Sequence, residues 1–261
     1  METLEKGNIR AISRGLDVLR AINQHRSLSM MAISKICGIP YPTAGRIIET
    51  LLAEELIERE PTRKRYRPTV KVKALSVGYQ DVDELAHAAR PHIEHLTRDL
   101  RWPISVCRRV GMSMMICEST HAIAPFTLNM YHPGYTMPIF GSSSGKVYLA
   151  YCNEADRGAI MQQLAELSQG SLERINKALS KEIELIRENG YGTYDRLRHT
   201  ANPGKTSAIS LPVMLHGKIQ GTMTLAFFAS SMTMRKAIDT FMPKLVQTAK
   251  VIEADLSNRL G

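Results

Sequence analysis

Residues 29–67 read SMMAISKICGIPYPTAGRIIETLLAEELIEREPTRKRYR. Ser29 is a natural N-cap for a short helix over Met30–Cys37, and Gly38 supplies the positive φ that ends a helix sharply. Pro42 suits the first turn of a second helix, because its missing N–H would have no intrahelical partner there. That helix runs to about Glu55, with Ala44, Ile48, Leu51 and Leu52 on its inner face and Tyr41, Thr43, Arg46 and Glu49 on the outer one. Leu56–Arg59 and Tyr66–Pro68 then read as two short strands, turned through Pro61 and the basic tip Thr62–Arg65. Helix, turn, helix and basic hairpin in this order spell a winged helix-turn-helix.

Upstream, Ile9, Ile12, Leu16, Leu19 and Ile22 recur at three and four residues, the mark of a helix with one buried face. Downstream, Thr69–Val82 reads as a connecting helix. Its apolar Val72, Leu75, Val77 and Tyr79 call for a partner, most simply the same helix of a second subunit. From Glu84 the texture becomes α/β, with a helix to Leu100 and paired strands to Ser119. After a Pro/Gly-rich stretch come a helix opening near Ser144, another over Leu172–Asn189, strands over Thr206–Ala229 turning at His216-Gly217, and a last helix over Met234–Leu260. The tight turns predict a mainly antiparallel sheet. The fold class is therefore α+β, divided into a winged helix-turn-helix domain (1–68), a linker helix (69–83) and an α/β domain (84–261).

Charge agrees with this division. The 261-residue chain carries a formal net charge of +9, and residues 1–80 hold 14 Lys/Arg against 8 Asp/Glu. More than half of the excess lies in less than a third of the chain, so the amino-terminal end is the candidate for phosphate contact. The amino terminus, METLEKGNIR, carries acidic residues and no apolar run, as neither a signal nor a transit peptide would. The uncharged stretch Ser119–Gly145 is broken by Pro125, Pro133, Gly134, Pro138 and Gly141, which excludes a membrane helix there. The expected location is the cytoplasm. Four cysteines are too scattered for a zinc ribbon. Cys107 and Cys117 fall opposite each other in a hairpin turning near Gly111, either as two packed strand residues or as a redox pair.

In a winged helix-turn-helix the second helix of the pair enters the major groove. Tyr41, Thr43 and Arg46 face base edges from its first turn, and Arg14 and Ala44 join them as candidate DNA contacts. Arg63, Lys64 and Arg65 at the wing tip suit phosphate or the minor groove. Gly45 is awkward, since glycine inside a helix costs about 1 kcal/mol relative to alanine.

Motifs spread along the chain resemble the IclR-type bacterial transcriptional regulators. They are Ser13-Arg14-Gly15-Leu16 with Val18-Leu19, Pro42-Thr43 with Arg46–Leu51, and Tyr66–Val77. Met137-Pro138, Ser143–Lys146 with Leu149-Ala150, Ile186-Arg187 and Gly190-Tyr191-Gly192 complete the set. The resemblance implies a GAF-like effector domain, homodimers that pair into homotetramers, a palindromic double-stranded DNA operator and a small carboxylic acid as effector. Arg101-Trp102-Pro103, Glu118 with Thr120-His121, and Ala229–Thr233 look closest to the branch controlling aromatic-acid catabolism. The effector positions it implies fall at Ser143, Ser144, Asp195, Ser207 and Thr224. Ser143 and Ser144 stand where many members carry Ala or Gly, which makes this pocket more polar.

The residues themselves give a matching account. Hydroxyls at a helix start beside free N–H groups form an anion cradle, which Ser143 and Ser144 provide. Glu118 and His121 suit ligand hydroxyls, and Met137 or Phe140 an aromatic ring. Two rival readings remain. Gly141–Gly145 fits G-x-S-x-G and Ser143–Lys146 fits S-x-x-K, with Asp195 and then His199 or His216 following in hydrolase order. Against catalysis stand the cheapness of three consecutive serines and the antiparallel texture. The other rival is an architectural DNA binder whose second domain senses nothing. His92, His95 and Asp99 share a helical face but lack a convergent fourth ligand, so no metal or other cofactor is expected.

Overall fold

The computed structural model describes residues 9–77, 83–127, 131–168, 172–195 and 205–260, with the backbone alone for 167–168 and 172–178. It divides into two compact units, residues 1–81 and 82–261.

The first unit is a three-helix winged helix-turn-helix. Its helices are α1 (Arg10–His25), α2 (Met30–Cys37) and α3 (Tyr41–Ala53), and its wing pairs β1 (Ile57–Arg59) with β2 (Tyr66–Pro68) antiparallel. Ser29 Oγ accepts from Ala32 N–H at 3.3 Å and caps α2. Gly38 ends α2 at φ 62°, where Ile39 N–H reaches Ser34 C=O and the Ser34 hydroxyl donates to Ile39 C=O at 2.7 Å. The turn angle between the helices is thereby locked by side chain and backbone together. Leu28 and Tyr66 exchange backbone hydrogen bonds of 3.0 and 2.8 Å, which ties the wing to the residue just before α2. Val18, Ile22, Ile33, Ile48 and Ile57 fill the core almost without exposure.

Two expectations about this unit change. The second helix begins at Tyr41, so Pro42 lies one position into the first turn. The segment read as a linker helix over Thr69–Val82 is a 3₁₀ helix over Val70–Ser76, and residues 78–82 lie outside those described. Thr69 caps this 3₁₀ helix and bonds to Glu55 C=O, which fixes its start against the end of α3. Val72 packs on the core while Val70, Leu75 and Val77 are exposed.

In the second unit, α4 (Glu84–Leu100) precedes β3 (Ile104–Val110), β4 (Ser113–Ser119) and β5 (Thr136–Pro138). The helices α5 (Ser143–Tyr151), α6 (Glu154–Ser168) and α7 (Leu172–Asn189) follow. The chain closes with β6 (Gly192–Tyr194), β7 (Thr206–Leu215), β8 (Lys218–Phe228) and α8 (Met234–Leu260). The strands form one sheet, β5-β4-β3-β8-β7-β6, with every pairing antiparallel. His216 and Gly217, both at positive φ, make the two-residue turn joining β7 to β8. The antiparallel α/β unit expected from the turns is therefore present, with β5, α6 and β6 added to the elements read from sequence.

Alternation along the strands sorts side chains between two layers. Ile104, Val106, Ile209, Leu211, Val213, Met223, Leu225 and Phe227 pack against α4 and α8. On the other face Cys107, Met114 and Ile116 pack with α5, α6 and α7 through Val147, Leu149, Ile160, Ile183 and Ile186. A bulge breaks the alternation in β4: Val106 pairs with Glu118 but Cys107 pairs with Ile116, leaving Cys117 as the extra residue. Cys107 and Cys117 are therefore not cross-strand partners, and both are free thiols.

Candidate DNA-reading surface and ligand cavity

The outer face of α3 carries the first set of functional groups. Tyr41 and Arg46 are exposed and Thr43 is half-buried on it. Thr43, Arg46 and Thr50 border one surface hollow with Arg14 of α1, while Tyr41 borders another with Arg63, Lys64 and Arg65 of the wing tip. Cations thus flank α3 on both sides, and no acidic side chain among the described residues forms an ion pair with any of them. By contrast Arg67, just past the tip, is held by Glu58 at 2.6 Å. Ala44 leaves the set of candidate contacts: it is fully buried, packed into the core beneath α3. Gly45 needs no special space, since a Cβ there would meet only Met30 Sδ at 3.8 Å.

The second site is a cavity of about 140 Å³ between the sheet and the start of α5. Ser142 caps α5: its Oγ accepts from Gly145 N–H and donates to Pro138 C=O, and the Ser144 hydroxyl donates to it, each at 3.2 Å. Gly145 lets this happen, because a Cβ would lie 1.8 Å from Ile139 C=O. Ser143 Oγ shares a 2.7 Å hydrogen bond with Ser210 Oγ, which shares another of 2.7 Å with Thr224 Oγ1. Ser105, Cys107 and Thr206 line the adjoining sheet surface. Tyr131, Tyr135, Tyr194 and Met137 supply the aromatic and apolar wall, and the Tyr131 and Thr206 hydroxyls are 2.8 Å apart. Burial, and next the neighbouring Tyr131, push the Tyr135 phenol up, so it stays protonated. Burial pushes the Cys107 thiol up to about 12, and the neighbouring Thr222 and Ser144 side chains act only weakly the other way.

Of the residues expected from sequence, Met137, Ser143, Ser144 and Thr224 line this cavity. Glu118, His121, Phe140, Asp195 and Ser207 do not. The bulge at Cys117 turns Glu118 toward α4, where Arg90 binds it at 2.5 Å. Ser207 alternates with Thr206 and Ala208, so it faces the other layer, and its hydroxyl donates to Asp195 at 3.1 Å. His121 is buried, its backbone N–H donating to Ser119 Oγ, and Phe140 packs on the α5 side of the sheet. The three tyrosines, Ser105, Cys107 and Thr206 were not found from sequence. Alternation could have brought Thr206 in with Thr224, but the tyrosines lie in segments with no period to read.

The nucleophile geometry of a hydrolase is not built here. The G-x-S-x-G run follows a 3₁₀ turn instead of ending a strand, and the partner of Ser143 is a serine. Asp195 is bonded to Ser207, His216 sits in the β7–β8 turn, and His199 lies outside the described residues. His92 Nε2 lies 2.5 Å from Asp255 Oδ2, and no metal-holding group of His, Cys, Asp or Glu occurs among the described residues. No helix among them is long and apolar enough to cross a membrane.

Comparison with known proteins agrees along the chain. Residues 11–61 match the IclR helix-turn-helix domain, and residues 77–254 match the bacterial transcriptional regulator IclR C-terminal domain. The HTH-type transcriptional regulator TtgV of Pseudomonas putida is 27% identical over 187 residues, 70% of each chain. The DNA-binding transcriptional repressor YiaJ of Escherichia coli is 24% identical over 267 residues, 96% of this chain and 88% of the relative. Among solved structures, an IclR homolog from Microbacterium hydrocarbonoxydans complexed with 4-hydroxybenzoate superposes with a TM-score of 0.62 at 18% identity, covering 96% of this chain and all of the other. The Thermotoga maritima IclR superposes at 0.63 with 16% identity, again over 96% of this chain and all of the other.

Proposed function

The chain belongs to the IclR family of bacterial transcriptional regulators, and from that premise we propose how its two units divide the work. It is a DNA-binding regulator with a ligand-binding carboxy-terminal domain, not an enzyme. Arg46 and Thr43 read base edges in the major groove, with Tyr41 and Arg14 beside them. Arg63, Lys64 and Arg65 hold phosphates from the wing. What carries this reading is the pair of exposed cationic flanks on either side of α3.

The operator is palindromic, because a homodimer presents two such helices to half-sites a whole number of helical turns apart. The exposed Val70, Leu75 and Val77 supply apolar surface for pairing of copies into dimers, and dimers pair into tetramers. The protein works in the cytoplasm and controls a catabolic operon. Its signal is a small carboxylic acid, aromatic with a single ring, held in the cavity at the start of α5. Support comes from the cavity's size and tyrosine wall. Binding there shifts operator affinity by a coupling of about 1–3 kcal/mol.

A footprint on the promoter next to its own coding sequence, repeated with a panel of small aromatics, tests this. A protected palindrome whose occupancy changes with one compound is the expected outcome. A footprint blind to every compound favours the architectural reading, and no footprint overturns the DNA assignment.

A further inference from the structure

We infer that Ala208 and Ala226 set the size of the acid this cavity accepts, by forming the patch of sheet on which the far edge of its ring lies. This rests on the aromatic-acid reading above and concerns only how large a ring-bearing acid can be.

Register places the pair. Ala208 and Ala226 are direct cross-strand partners on β7 and β8, each of which has a strand on both sides. On the same face, the row to one side of them is Ser210 opposite Thr224, and the row to the other side begins with Thr206. Ser143 Oγ bonds to Ser210 Oγ, so the start of α5 stands over the Ser210–Thr224 row. The Tyr131 hydroxyl, 2.8 Å from that of Thr206, closes the opposite end. Alternate residues advance ~6.7 Å along a strand, which puts the alanine row about one ring-length from the α5 start.

Burial separates the rows. Ser210 is fully buried and Thr206 is 8% exposed, whereas Ala208 and Ala226 are half-buried, although Ile209, Leu225 and Phe227 beside them on the opposite face lie at 1% or less. Small residues on a sheet also mark the close approach of a helix, as at Gly192, where a Cβ would meet Val147 Cγ2 of α5 at 2.8 Å. Ala208 and Ala226 instead keep accessible surface, and both line the cavity.

An acid whose carboxylate accepts from the first-turn N–H groups of α5, those of Ser143 and Ser144 among them, directs its ring along β7 over the alanine row. Side chain and acid then compete for the same space, so every carbon added to one is lost to the other. The cavity, at about 140 Å³, is close to the ~150 Å³ that holds benzene, which makes this competition sharp. One methylene in an apolar pocket changes discrimination by roughly 10–200-fold.

The test is calorimetric titration of the full chain with benzoate and 4-methylbenzoate, read as the ratio of their affinities. Ala226→Val, which brings a β-branched residue suited to a strand, should lower the 4-methylbenzoate-to-benzoate ratio at least ~10-fold, and Ala208→Val should do the same. Ala226→Gly should move the ratio the other way, and it decides the matter if a valine variant fails to fold by thermal melting. A purely structural role for the alanines would weaken both acids together. An unmoved ratio therefore overturns the inference, as does failure of both acids to bind the unaltered chain. Footprints of the same samples keep this apart from the regulator reading. An acid that alters operator occupancy while the ratio stays put ends the size limit and leaves ligand-responsive DNA binding standing, whereas occupancy indifferent to an acid that binds, with the ratio moved as expected, ends the regulatory reading alone.

Discussion

The two units use hydroxyls, charges and apolar groups in opposite ways. In the amino-terminal unit the core is apolar and the candidate functional groups are exposed on α3, α1 and the wing tip. In the carboxy-terminal unit the functional groups are buried: Ser143, Ser144 and Ser210 lie at 2% exposure or less, between a sheet and a helix where apolar packing is usual. A surface that meets a polyanion needs free cations in water and tolerates substitution. A cavity that recognises a small molecule needs polar groups held in place by their neighbours, and errors there weaken folding as well as binding.

The sharpest way to break this contrast is at Gly145. Because an added Cβ would sit 1.8 Å from backbone, Gly145→Ala should cost more than ~3 kcal/mol in the second unit. Urea unfolding should show it, and ligand response should vanish. A loss under ~1 kcal/mol would mean that the α5 start can shift and that the cavity is not rigidly built. Arg46→Ala comes next: it should leave unfolding unchanged and cost about 1–3 kcal/mol in discrimination between operator and altered operator, read by competition binding. Removing the α2 cap with Ser29→Ala should cost ~1 kcal/mol of stability, measured by thermal melting, with a proportionate effect on the reading helix behind it.

Smaller effects sharpen the division further. Replacing Arg63, Lys64 and Arg65 by Gln should weaken all sequences alike and leave discrimination unchanged. The slope of log affinity against log salt should fall by up to ~0.9 for each phosphate that the wing no longer neutralises. Gly45→Ala should stabilise the first unit by up to ~1 kcal/mol, since only Met30 Sδ at 3.8 Å awaits its methyl. Should operator binding fall while stability rises, close approach of DNA to this turn is the reason for the glycine.

The difference between the units also governs what could be read in advance. Capping by Ser29, the stop at Gly38 and the basic tip of the wing are local, separated by a few residues, and each carries its own physical signature. The expected helix pair and wing therefore emerged nearly residue for residue. Thr69–Val82 misled because its apolar residues are spaced as for a helix, while the Thr69 cap and its bond to Glu55 favour a tighter 3₁₀ turn. In the second unit Ser143 and Ser144 were legible from their place at a helix start, and Thr224 from the resemblance. Glu118 was misplaced for one reason: Met114, Ile116 and Glu118 are all buried at period two, yet the bulge at Cys117 puts the last of them on the opposite face.

Taken alone, then, the amino-acid sequence determined the winged helix-turn-helix, its candidate readers Thr43 and Arg46, the antiparallel α/β unit and the serines at the start of α5, because hydrophobic period, caps and turn residues act over a few positions. Tertiary structure alone decided that Ala44 is core, that Glu118 belongs to Arg90, and that tyrosines near residues 131, 135 and 194 share one cavity with strand hydroxyls. Register, a single bulge and the approach of segments sixty residues apart set those outcomes, and none of the three leaves a period in the chain.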